Sequence, residues 1–202
     1  MYKMANNNNF LQALVNQMNN HTYTNDQIIN MINQQNTLTG KCIVARRYLG
    51  PQSTTLERII KQDLEIGPAL NETSGDGRKN GINYEIKSSI HARDCKVNFV
   101  QIRPDHDVQS YIFITYNMYE NDNIGNAHIF KVPAEIVYHM IVQYGGYAHG
   151  TIANLGPITM DNLHGNGREY ALRCNPNATT GQHFNLWNAL LGYEVEYNPD
   201  NF

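Results

Sequence analysis

The chain has 202 residues, 41% of them hydrophobic, enough to bury one substantial core and too few for two ordinary domains, so a single domain is expected. Its 15 basic and 18 acidic residues leave a formal charge of −3, which excludes a global positive field as the means of drawing it onto nucleic acid. The three cysteines, Cys42, Cys95 and Cys174, are widely spaced without a CxxC pair, which argues against a disulfide framework or zinc cluster and fits a reducing cytoplasm.

The opening residues lack the apolar run of a signal peptide, and no stretch approaches the roughly 20 apolar residues that span a bilayer, so no membrane partner is expected. The Asn6 to Asn9 run is low-complexity. Phe10, Leu11, Leu14, Val15 and Met18 then recur at helical spacing, as do Ile28, Ile29, Met31 and Ile32 after Thr24-Asn25-Asp26, which predicts two short amphipathic helices. Leu56, Ile59, Ile60 and Leu64 behind Ser53-Thr54-Thr55 predict a capped helix ending near Gly67-Pro68.

A Gly-rich turn over 74–81 separates that helix from a change of period. Residues 82–87, 97–103 and 110–116 alternate or run apolar and read as three strands, with a fourth over 128–132. Pro133 suits the first residue of a helix carrying Ile136, Val137, Met140 and Ile141, which Gly145-Gly146 ends. Turns at Gly156-Pro157 and Gly165-Asn166-Gly167, a strand over 169–173 and a helix over 182–191 complete the chain. The expected class is α/β with α+β features, a central mixed sheet flanked by helices.

The chemistry-bearing residues gather around the change of period. Asp76 stands between Gly75 and Gly77 in the turn, and Glu85 and Lys87 lie two apart on the next strand, so they project from one face. A hairpin-like return brings Asp76 beside Glu85, an oxygen pair suited to a hard divalent cation, with Lys87 adjacent. Glu57 on the upstream helix reads either as a favourable partner of the helix dipole or as a further acid of the site.

Asp76 followed by Glu85-Ile86-Lys87 resembles the PD-(D/E)XK nuclease superfamily, with Gly75 where the motif carries proline. Ser88-Ser89 behind the lysine add to the likeness, which covers about a quarter of the chain, residues 57–103. The resemblance implies a restriction-endonuclease-like fold with a helical N-terminal part (8–66) and a catalytic core (53–116). It also implies Mg²⁺ held by Asp76, Glu85, the Ile86 carbonyl and in many members a further acid such as Glu57, with Lys87 assisting the attacking water.

Small size and a polar surface make a type II restriction endonuclease the expected member, a homodimer cutting double-stranded DNA to leave 5′-phosphates. Gln101 and Arg103, two apart on the following strand, and Arg78 and Lys79 are candidates to contact DNA phosphates, as are Arg46, Arg47, Arg93 and Lys96. A repair or recombination nuclease of the same superfamily, or a non-catalytic DNA-binding or viral structural protein, are the alternatives. The eight histidines show no ligand-type spacing, so a zinc or His-Asn-His nuclease is disfavoured, and Trp187 reads as core.

Overall fold

The computed structural model describes residues 23–49, 54–90, 96–117, 124–148, 156–165 and 167–202. The helix expected around Phe10 to Met18, and the phosphate candidate Arg93, lie outside them.

Helix α1 (Asn25–Asn33) starts with a reciprocal cap: Gln27 N donates to the Thr24 hydroxyl (3.3 Å) and Thr24 N donates to the Gln27 side chain (2.9 Å). It buries Ile28 and Ile32. Helix α2 (Leu38–Tyr48) was not anticipated. Its Cys42-Ile43-Val44-Ala45 run is buried all round, so it lacks the polar face that makes a helix visible as a period. Thr37 caps it by accepting from Gly40 N at 3.1 Å. Helix α3 (Thr55–Asp63) has the expected amphipathic pattern, with Leu56, Ile59 and Ile60 inward.

The strands are β1 (Gly67–Pro68), β2 (Gly77–Lys79), β3 (Ile82–Ser89), β4 (Val97–Ile102), β5 (Ser110–Asn117), β6 (Asn126–Pro133), β7 (Gly146–Tyr147) and β8 (Tyr170–Cys174). Five of them form one mixed sheet in the order β1-β2-β3-β5-β6, in which β3 and β5 are parallel and the other pairs antiparallel. Every residue of β5 is buried, as a strand covered on both faces requires. Helices α4 (Ala134–Tyr144) and α5 (Gln182–Leu191) follow the predicted positions. A mixed α/β architecture with helices flanking a mixed sheet is therefore present.

Strand β4 departs from expectation. It joins β8 and β7 in a second sheet, in the order β4-β8-β7, rather than continuing the first. The pairing of β4 with β8 shifts register between Phe99 and Ile102, and Gln101 there has φ +57. That bulge reverses the alternation, so Val97, Phe99 and Ile102 turn inward while Val100 is exposed. Val100 and Ile102, though two apart, therefore do not share a face.

Two apolar layers result. Tyr84, Ile86, Ile112 and Ile114 pack with α1, α2 and α3, while Tyr111, Phe113, Phe130 and Val132 pack with β4, β8, α4 and α5, including Trp187. A buried Ile or Phe in such a layer contributes about 1.5–3 kcal/mol. Together the layers hold β3 as a rigid rail beside the turn that carries Asp76.

Candidate active site

Strand β2 covers only the first part of β3. Their register runs from Lys79 opposite Ile82 to Gly77 opposite Tyr84, and beyond Tyr84 no strand among the described residues lies beside that edge of β3. Two carboxylates take its place. Asp76 Oδ2 accepts from Ile86 N at 2.7 Å, and Glu57 Oε1 accepts from Ser88 N at 2.7 Å and from the Ser88 hydroxyl at 2.9 Å. Within a strand the N–H and C=O of one residue point the same way, so the Ile86 carbonyl is directed to this edge, between the two acids.

Gly75 makes the arrangement possible. It has φ +71, and a Cβ on it would lie 2.5 Å from the Tyr84 carbonyl oxygen. Only glycine fits, and its turn lets Asp76 N donate to that same oxygen at 2.8 Å. Proline, fixed near φ −65°, could not occupy position 75, so the departure from the motif has a conformational cause. The turn is pinned from behind, where Asp107 N donates to Thr73 O (2.8 Å) and the Asn83 side chain donates to Asp107 O (2.8 Å).

Glu57, Asp76 and Ile86 line a cleft of about 210 Å³ together with Thr54, Arg58 and Lys61. Burial pushes the Glu57 carboxyl above its ordinary range; the Ser88 bonds and the Lys87 charge oppose that shift, and the Asp76 charge adds to it. Two carboxylates close together beside a backbone carbonyl are a donor set that suits a hard divalent cation.

The other two motif residues lie across the strand. Parallel pairing sets Glu85 beside Tyr111 and Lys87 beside Phe113, on the face toward the second sheet, whereas Tyr84 and Ile86 face the helices. Glu85 is buried, and its Oε1 is 2.6 Å from Lys87 Nζ. The two share a face as expected, but both faces of β3 are covered rather than one being free. As the side chains lie, Glu85 is engaged by Lys87, and among the described residues no group of three or more His, Cys, Asp or Glu side chains is arranged to hold a metal. The acids that line the cleft are Asp76 and Glu57, with Ile86 between them.

The candidate phosphate contacts do not gather here. Arg103 donates through Nε and Nη2 to Glu169 Oε1, at 2.7 and 2.6 Å, joining the end of β4 to the residue before β8. Gln101 is exposed at the bulge of the second sheet. Lys79 Nζ is bound by the carbonyls of Leu64 (2.9 Å) and Pro199 (2.7 Å). Arg78 is half-buried on β2, and Lys96 is exposed. Arg58 and Lys61 were missed, although Lys61 stands four residues after Glu57 and three after Arg58 on one helix and so neighbours both.

No protein-family model matches the chain, and comparisons with curated proteins and with solved structures likewise give no match.

Proposed function

We propose that the chain is a divalent-cation-dependent nuclease that hydrolyses phosphodiester bonds in double-stranded DNA, acting as a type II restriction endonuclease. The observation that carries this reading is the edge of β3 beyond Tyr84, where Asp76 and Glu57 flank the Ile86 carbonyl and Lys87 lies close enough to act on Glu57. Glu57 joins Asp76 as a primary acid of the site, with Glu85 reaching it on release from Lys87.

A Mg²⁺ ion held by Asp76, Glu57 and the Ile86 carbonyl would supply an acidified water and polarise a phosphoryl oxygen. The chain's own residues do the rest. Hydrogen bonds from the Ile86 and Ser88 amides fix one oxygen of each acid, so both carboxylates are oriented before substrate arrives. Lys87, freed when Glu85 turns to the cation, would bring positive charge and N–H donors to the attacked phosphate. Hydrolysis at the 3′ oxygen leaves a 5′-phosphate.

A homodimer fits this reading, because two sites related by a two-fold axis cut both strands of a palindrome. A cytoplasmic enzyme fits the free, buried Cys42 and Cys174, whose thiols burial pushes up to about 12 and so holds protonated. Among the described residues no helix is long and apolar enough to cross a membrane.

Digestion of supercoiled plasmid and genomic DNA in Mg²⁺ tests the proposal. Discrete bands are expected, abolished by EDTA and by Asp76→Asn. A smear would assign the chain to sequence-independent repair or recombination instead. No cutting, with no Mg²⁺ binding by calorimetry that depends on Asp76 and Glu57, would reject catalysis altogether.

A further inference from the structure

Resting on the nuclease reading, we infer that Arg58 and Lys61 form the phosphate-binding side of the cleft, gripping the DNA backbone from α3 where Asp76 and Glu57 hold the cation. Both side chains line the same cleft as the two acids. Neither has a carboxylate within ion-pair distance among the described residues, although two carboxylates share their cleft. Cations left unneutralised beside acids are placed for an anion that the acids do not supply.

Lys61 is held in position by the main chain. Its Nζ donates to the Asp76 carbonyl oxygen, which leaves two of the three ammonium N–H groups for a ligand. Its stem passes over Gly77, where a Cβ would lie 2.8 Å from Lys61 Cε. Gly77 is thus the opening through which the lysine reaches the turn, and the Asp76 backbone ties cation and acid to one rigid segment. Arg58, one turn earlier on the same stripe, is exposed and offers a planar fork of donors that matches two phosphate oxygens.

The ligand is therefore a phosphodiester of the nucleic-acid backbone rather than a base. Phosphate contacts carry no sequence information, so their loss weakens binding to every DNA sequence alike. The basic groups on β2 and β4 have other partners at Lys79 and Arg103, which leaves α3 as the positive side of the cleft.

The test is binding of mixed-sequence duplex DNA in Ca²⁺, followed by fluorescence anisotropy over a range of salt, for wild type, Arg58→Ala, Arg58→Lys and Lys61→Ala. Each alanine variant should bind roughly tenfold to a hundredfold more weakly, the loss of one charge-assisted contact. Its slope of log affinity against log salt should be shallower by about 0.9, one phosphate. Arg58→Lys should restore the slope. Because Arg58 is exposed and makes no ion pair among the described residues, its variants should keep the fold, as thermal melting checks, so Arg58 decides even if Lys61→Ala disturbs the turn. Unchanged affinity and slope in Arg58→Ala, while wild type binds and cuts, overturn this inference alone. A wild type that neither binds nor cuts overturns the nuclease reading as well.

Discussion

Replacing Asp76 separates its two duties, as an acceptor for β3 and as a negative charge in the cleft. Asp76→Ala removes the acceptor from the Ile86 amide, 2.7 Å away. Were that amide sealed in the core, the loss would be the full desolvation of a donor, but Asp76 is exposed and the cleft open, so water can replace the lost acceptor. The net cost is then that of an ordinary hydrogen bond, about 1 kcal/mol, which for a chain of this size lowers Tm by roughly 2–4 °C. Asp76→Asn keeps an acceptor oxygen for Ile86 and should melt close to wild type. Both variants lack the charge, and cleavage in Mg²⁺ should fall at least about a hundredfold in each, beyond the effect typical of disturbing a ligand's supporting shell. Plasmid cutting and differential scanning calorimetry on the three proteins read the two effects separately. Undiminished cutting by Asp76→Asn would refute the assignment of Asp76 as a cation ligand.

Other residues give independent checks. Glu57 has its native pKa raised, so the native state binds this proton more tightly than the unfolded chain, and stability falls as pH rises from the ordinary carboxylate range through the raised native value. Glu57→Gln should therefore match wild type at acid pH and be slightly more stable at neutral pH, as followed by urea denaturation at several pH values, and added Mg²⁺ should narrow the gap only for wild type. Arg103→Ala breaks a partly exposed pair with Glu169 and should cost about 0.2–1 kcal/mol with cleavage unchanged; a marked loss of DNA affinity would return Arg103 to the phosphate contacts. Lys41, buried, pairs with the partly exposed Asp63 at 2.8 Å and donates to the Ile32 carbonyl at 3.3 Å, so Lys41→Ala should lower stability by about 1–3 kcal/mol in chemical denaturation, without altering cleavage by the folded fraction.

Where a residue's environment follows from local period, the sequence was readable. α1 shows a capping box and a spaced apolar face, and α3 and α4 show apolar stripes bounded by turn residues, so each was legible. α2 was not, because Cys42, Ile43, Val44 and Ala45 are buried together and leave no polar side to reveal the turn. The assignment of β4 to a second sheet was hidden for another reason. Pairing partners far along the chain decide it, here β8, and the bulge at Gln101 changes the parity on which a face assignment depends.

The site was legible in its residue types and less so in its arrangement. Alternation correctly sets Glu85 and Lys87 on one face, but it cannot say that two further carboxylates meet the edge of the strand. Asp76 and Glu57 meet β3 through the backbone N–H groups of Ile86 and Ser88, and the direction of those groups depends on where β2 stops. Had β2 continued one pair further, its backbone would have taken the Ile86 amide and no acid would be drawn to that edge. The length of β2 is set in turn by Gly75, whose positive φ swings the chain away just beyond Gly77. Substituting Gly75 with alanine should thus damage the site from outside it: a Cβ 2.5 Å from the Tyr84 carbonyl forces the turn to shift, and Asp76 moves with it. Cleavage should then fall while duplex binding through α3 weakens less, since Arg58 stands on a separate element.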